Sequence, residues 1–508
     1  SFDSGYLYPI YEDEVLPGDS MNLKMQAFVR LATPIVPVMD NLHVDTFFFF
    51  VPYRLVWNNF VKMMGEQDNP ADSISYTTPQ KVSPAGGYTV GSLADYFGLP
   101  TVGQVLGGNT VTHSALYHRA YALCWNQWFR DENLQNSVVV DKGDGPDTTT
   151  SAVLLKRGKR KDYFTGALPW PQKGATAVSL PLGTSAIVKT NPTNLFTGAQ
   201  TRLKMLNQTG AALGNNTLNI YNAGDVGTST TGSPPEAAGA YPSNLYADLS
   251  TATAATINQI RQAFQTQRLL ERDARGGTRY TEIVRSHFKV ISPDARLQRA
   301  EYLGGSSSPI IISPIPQTTQ SGLTGGTTPL GNLGGVGAGQ TGTGWTQAFT
   351  EHGLIIGLAS VRADLNYQQG LRKMWSRLTR LDYYMPVLSH LGEQAILNKE
   401  IYTDGSAADN NVFGYQERWA EYRYHPSKIT GLFRSTSAGT IDIWHLAQDF
   451  ATLPTLNATF IEETPPVDRI VSVGAAANGK QFLGDFFFQI RKARPMPLYS
   501  VPGMIDHF

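Results

Sequence analysis

The chain of 508 residues has a single cysteine, Cys124, so no internal disulfide is possible and the fold does not depend on an oxidising compartment. In "LYHRAYALCWNQWF" that cysteine reads as a small buried hydrophobe. Charge is scarce as well. Asp, Glu, Lys and Arg make up 16%, and 41 cations meet 41 anions, leaving no net charge. A freely soluble protein usually avoids neutrality because it promotes association; a protein built to associate need not. No apolar run reaches 18 residues, which excludes a sequence-level membrane-spanning helix. The first ten residues, "SFDSGYLYPI", carry no basic segment followed by an apolar one, so no signal peptide is visible. The chain begins at Ser1 rather than methionine, which points to sequence removed or left out upstream.

What is present points to a β-rich globular protein. Hydrophobic residues are 41% and aromatics 11%, well above a disordered composition, and 49 Gly with 30 Pro imply many turns between many strands. "MNLKMQAFVRL" alternates, with Met21, Leu23, Met25, Ala27, Val29 and Leu31 on one face and Phe28 the exception on the other, so one face of this strand is expected to be buried. "DTFFFFVPYRLVW" does not alternate: Phe47, Phe48, Phe49 and Phe50 are apolar on both faces and the stretch runs on to Trp57. "DFFFQI", with Phe486, Phe487 and Phe488, repeats that character near the other end. All eight are candidate core or interface residues.

Helices are expected over 113–134 and 256–275, the second ended by Gly276-Gly277. Strands are expected over 279–290 and in "GLIIGLASVRADLNY", "TIDIWHL", "RIVSV" and "QFLGDFFFQIRKA". Four regions follow: residues 1–20 as an extended arm, 21–174 as the first part of the β fold with connecting helices, 175–252 as a Thr/Asn/Gly-rich surface insertion, and 253–508 as the rest, with 304–344 a long, partly mobile Gly-rich loop. There is no βαβ alternation and no internal repeat, so a β-sandwich or jelly roll with elaborated loops fits best.

No motif supports catalysis. "GAAANGKQ" lacks the Ser/Thr of a phosphate loop and contains the hairpin pair Asn478-Gly479; "GAGQTG" has neither a strand before it nor a helix after it. His113 and His118 are five apart, off the metal-ligating helical spacing, and Glu462 and Glu463 point apart in extended chain. Asn207 and Asn215 head glycosylation-type triplets of the kind Thr/Asn-rich loops generate by chance. No cofactor, metal or catalytic residue is indicated. The basic runs are more informative. "KRGKRK" holds Lys156, Arg157, Lys159, Arg160 and Lys161; "RKMWSRLTR" holds Arg372, Lys373 and Arg377 with Trp375 between them; "RKARP" follows at 491–495. Such patches suit a nucleic-acid-facing surface, with the aromatic stacking on unpaired bases, or a solvated face paired with nearby acids.

Composition alone leaves two readings, a structural shell protein and a β-rich carbohydrate-binding or adhesive protein, with a β-scaffold glycosidase behind them for want of a carboxylate pair. Longer strings separate these. "DSGYLYPIYEDEVLPGDSMNLKMQAFVRLATPIVPVMDNLHVDTFFFFVPYRLVWNNFVKMMGEQ", "DYFTGALPWPQKG", "RSHFKVISPDARLQRAEYLGG", "LASVRADLNYQQG" and the tail from "PVDRIVSVG" through "RKARPMPLYSVPGMIDHF" resemble the major capsid proteins of gokushoviruses, small single-stranded DNA phages of the Microviridae. The resemblance spans both ends and most of the middle, and is weakest in 175–252 and 304–344. It implies an eight-stranded viral jelly roll and an icosahedral shell of the simplest kind, a homo-oligomer with one chain per symmetry unit. It also implies that the insertion projects at the threefold axes toward a host cell-surface receptor. A small, very basic DNA-binding protein would accompany the single-stranded DNA genome, and assembly would occur in the host bacterial cytoplasm, giving a virion protein.

Overall fold

A computed structural model of the chain describes residues 1–148, 153–171, 173, 257–293, 296, 298–316, 333–472 and 479–496, together with the backbone of short strands between 187 and 248. Two compact units are present: residues 1–171 with 273–508, and residues 172–272, which interrupt the first in sequence. Within the second lie the paired strands Ile187–Thr190 with Leu245–Asp248 and Thr217–Ile220 with Val226–Ser229.

The first unit is built on one antiparallel sheet. Its strands are β1 (Tyr8–Val15), β2 (Ser20–Leu31), β3 (Leu42–Pro52), β4 (Glu301–Pro316), β5 (Leu333–Ala348), β6 (Gly353–Ala363) and β7 (Phe482–Ala493), in the spatial order β1-β6-β3-β4-β5-β2-β7. β4 serves twice. Its first half, Glu301 to Ile310, pairs with β3, and its second half, Ile311 to Pro316, pairs with β5. The sheet therefore folds into two four-strand layers that share β4, so seven strands fill the eight strand positions of a jelly roll. Met21, Leu23 and Met25 of β2 then face Phe48 and Phe50 of β3 across the interior, and Trp345 of β5 lies 6.3 Å from Phe48. The two outermost strands, β1 and β7, meet at the seam through side chains: the Tyr11 and Phe488 rings are 5.0 Å apart, Lys492 pairs with Asp13, and Arg494 lies 3.1 Å from the buried Asp19.

The two-faced apolar character of β3 has its cause here. Phe48 and Phe50 point between the layers. Phe49 points the other way, into a second core beneath α1 (Leu116–Cys124) and its π-helical continuation Trp125–Phe129. Phe47 and Phe49 meet Phe129 at 5.1 and 5.9 Å, and Trp57 is fully buried in that same cluster. Every residue of β6 is buried for the same reason. β2 alternates because only its inner face is covered; the outer face, with Phe28 52% exposed, is open. Phe48→Ala is accordingly expected to cost about 3–5 kcal/mol through loss of burial and the cavity left behind. Phe28→Ala should stay within about 0.5 kcal/mol. Urea unfolding of the dissociated subunit checks both.

Several elements depart from the sequence expectations. Residues 1–20 are extended but belong to the sheet: β1 pairs with β6 along Tyr8 to Val15, and Phe2 stacks on Phe482 at 5.7 Å. The expected strand at 279–290 is α3 (Tyr280–Phe288); its β-branched and aromatic residues suggested a strand, but Arg279 reaches Glu282 one turn on and Lys289, at φ 61°, ends the helix. The expected loop 304–344 is largely β4 and β5, with 317–332 outside the described residues. Glycine there marks close packing rather than mobility, since a Cβ on Gly305 would lie 2.1 Å from the Thr46 carbonyl oxygen and one on Gly337 2.9 Å from Leu31. "TIDIWHL" carries a 3₁₀ turn, Asp442–Trp444, and the described residues of "RIVSV" make one bridge, Val471 to Pro34. The helix expected at 256–275 is α2 (Ile257–Gly276).

Candidate functional surfaces

The run Lys156 to Lys161 is stitched between the N-terminal segment and residues 461–463: Arg157 N–H donates to Gly5 O at 2.9 Å, and Lys159 N–H to Ile461 O at 2.7 Å. Its charges are largely held inside the fold. Arg157 pairs with Asp45 at 2.5 Å and lies over the Phe47 ring; Asp45 also accepts from Arg362 Nε at 2.7 Å. Lys159 is buried, 4.5 Å over the Phe460 ring and donating to Gln448 Oε1 at 3.2 Å; burial pushes its ammonium down to about 8. Lys156 sits 3.9 Å from Glu462 and Lys161 pairs with Asp131. Arg160 is exposed with no ion-pair partner among the described residues.

The second patch divides in the same way. Lys373 reaches Glu400 at 3.3 Å and Ala395 O at 2.9 Å, and Arg377 pairs with Glu421 at 3.3 Å while stacking 4.4 Å over Tyr422. Arg372 and Trp375, the latter 70% exposed, face outward. Around them the segment 371–391 exposes an unusual amount of apolar surface, with Leu378 and Val387 each 91% exposed. The two patches are not brought together by any described contact. In β7, Phe486 and Phe488 lean into the interior cluster while Phe487 is 59% exposed.

Among the described residues no reaction centre is assembled. His118 is buried against His113, the rings 5.3 Å apart, and burial pushes it down to about 3; His113 itself bonds Tyr88 at 2.7 Å. Burial raises the Cys124 thiol, and no group of three metal-binding side chains occurs among the described residues. "GAGQTG" lies within β5 as extended strand, and Asn478 of the expected hairpin lies outside the described residues. In a cleft of about 440 Å³ the three charges Asp131, Lys161 and Arg275 are paired: Lys161 with Asp131, and Arg275 with Glu393 and Glu417. No described helix is long and apolar enough to cross a membrane.

The sequence model of one family, described as capsid protein (F protein), matches residues 1–504. The chain belongs to the phage capsid F-protein family. Relatives of this capsid protein agree along nearly the whole length. It is 48% identical to capsid protein VP1 of Bdellovibrio phage phiMH2K, covering 99% of this chain and 93% of the relative. It is 41% identical to capsid protein VP1 of Chlamydia phage 1, with 99% and 94% covered, and 37% identical to that of Spiroplasma virus 4, with 99% and 93% covered. These relatives are gokushovirus proteins. The F-family chain is thus a structural, non-enzymatic virion protein that assembles into a shell.

Two features of this capsid protein escaped the sequence reading. One is the Asp45 clamp, signalled only by an acid set in "VDTFFFFV", where burial demands a cation. The other is the open face of β2 and β7, where Phe28 stood out merely as an irregularity.

Proposed function

We propose that copies of this chain close into an icosahedral shell of the simplest kind, one copy per symmetry unit, around a single-stranded DNA genome. The observation that carries the reading is the apolar surface of 371–391, on a chain that matches the capsid family over residues 1–504. Leu378, Leu381, Val387 and Leu391 are all more than half exposed, and monomeric proteins rarely leave large apolar surface in water. Contact with neighbouring copies removes it, as in large apolar obligate interfaces. Zero net charge favours the same outcome.

In this reading Arg160 and Arg372, which have no ion-pair partner among the described residues, and the exposed Trp375 are the residues of the two basic runs available to DNA. The other cations are committed to Asp45, Glu462, Asp131, Glu400 and Glu421 or are buried. A chain that uses its cations internally leaves bulk neutralisation of the genome to a small basic virion protein. The insertion 175–252, Thr/Asn/Gly-rich and poor in charge, is the segment suited to project at the threefold axes and touch a host receptor, after assembly in the bacterial cytoplasm.

Electron microscopy of the native material with nuclease protection tests this. Uniform small isometric particles shielding single-stranded DNA are expected. A monodisperse monomer free of nucleic acid would overturn the reading, and glycan binding by 175–252 would then be the next measurement.

A further inference from the structure

The outer face of the layer β5-β2-β7 is a regular grid read directly from its register. Lys24, Gln26, Phe28 and Arg30 point outward from β2. On β7, Gln489 lies opposite Lys24, Phe487 opposite Gln26, Asp485 opposite Phe28 and Leu483 opposite Arg30, while Arg491 lies opposite Asn22. Phe28 and Phe487 are thus diagonal neighbours, about 7–8 Å apart in such a ladder, and both are more than half exposed. On the other side of β2, Gly342 and Gly344 of β5 lie opposite Gln26 and Lys24, leaving a flat strip beside the aromatics.

The charges on this face differ from those elsewhere on the strand. Lys492 and Arg494 turn to the seam and are paired, with Asp13 and Asp19 respectively. Lys24, Arg30 and Arg491 turn to the open face and have no ion-pair partner among the described residues; Asp485 is the one acid among them. The face combines uncompensated cations, amide side chains and two exposed rings. A subunit contact would favour a core depleted of charge, and duplex DNA presents no unstacked bases to the rings. Single-stranded nucleic acid matches most of the face: phosphates for the three cations, which outnumber the one acid Asp485, base faces for Phe28, Phe487 and the exposed Leu483, and base edges for Gln26 and Gln489.

We infer that the β5-β2-β7 face is a stacking platform for single-stranded nucleic acid, with Phe28 and Phe487 holding bases and Lys24, Arg30 and Arg491 holding phosphates. The inference rests on the reading that the shell encloses single-stranded DNA. It assigns the main contact to a surface distinct from the two basic runs.

Native particles are irradiated at 254 nm, digested, and searched by mass spectrometry for nucleotide adducts. Adducts on the peptides spanning 20–31 and 482–493 are expected. Adducts only on other segments, or chemical cross-links joining these peptides to a second copy, would overturn the inference while leaving genome enclosure intact; particles without DNA would overturn the enclosure itself. In parallel, full-length subunits bind a thymidine oligonucleotide at several salt concentrations. Phe28→Thr with Phe487→Thr is expected to weaken binding tenfold or more. Lys24→Gln, Arg30→Gln and Arg491→Gln together should lower the slope of log K against log salt by about 2, at roughly 0.7 per phosphate. Unchanged affinity and slope in folded variants would refute the platform.

Discussion

Asp147→Ala is expected to destabilise the subunit by about 3–5 kcal/mol, because it leaves a charge unpaired where no water reaches. The Asp147 and Arg119 side chains are both fully buried. Arg119, on α1, donates from Nε to Asp147 Oδ2 at 2.9 Å and from Nη2 to the other oxygen, and from Nη1 to Val56 O at 3.0 Å and Gly143 O at 2.9 Å. One guanidinium therefore ties α1 to the turn Tyr53–Val56, which ends the Phe-rich strand, and to the 143–147 loop. Removing the carboxylate strands the cation; removing the arginine strands the carboxylate and two carbonyls. The double change Arg119→Met with Asp147→Leu should cost less than Asp147→Ala alone, since apolar groups of similar volume need no counter-charge. Urea unfolding of the dissociated subunit followed by tryptophan fluorescence measures all three. A loss below about 1 kcal/mol for Asp147→Ala would mean the pair does not hold these elements together.

Asp45→Asn should cost about 3 kcal/mol at neutral pH and remove an acid-sensitive component of stability. Burial by itself would raise the Asp45 carboxyl, but Arg157, Ser307 and Arg362 more than offset it and hold the group below 3.8. The folded value is thus depressed relative to the unfolded one. Its stabilisation is complete above about pH 4 and is lost as pH falls through the folded value. The native chain should lose stability on acidification below pH 4 partly through this group, whereas the asparagine variant starts lower and lacks that contribution. Thermal unfolding of both proteins between pH 2.5 and 7 checks the sign; parallel curves would show that Asp45 is not the titrating group. Because Asp45 joins Arg157 of the basic run to Arg362 of β6, the variant should also loosen residues 156–161.

What was legible in the sequence follows from local periodicity. β2 declared itself because one face is buried and the other is open, so its side chains alternate over the whole strand. β3 announced burial on both faces through its unbroken run Phe47 to Val51, whereas the similar run in β7 leaves Phe487 in water. Glycine misled at β5 because composition reports backbone freedom, whereas here the missing side chains admit Leu31, Pro309 and Pro34 at close range. α3 misled because nine residues of mixed character satisfy either period, and only the ends of the segment distinguish them. The basic runs misled in emphasis. Their spacing shows that charge is concentrated, but the acids that neutralise it come from far along the chain: Asp45 for Arg157, Glu421 for Arg377 and Glu400 for Lys373.

By itself, the sequence determined that this is a β-rich, neutral, low-charge chain without catalytic machinery, with two strands apolar on both faces and the strings of a phage capsid protein. These are properties of composition and of order along one strand, and neighbours cannot change them. The tertiary structure decided which cations stay free and which aromatics stay in water. Pairing brings residues hundreds of positions apart into contact, and only the register of β2 with β7 sets Phe28 beside Phe487 among three cations that have no ion-pair partner among the described residues.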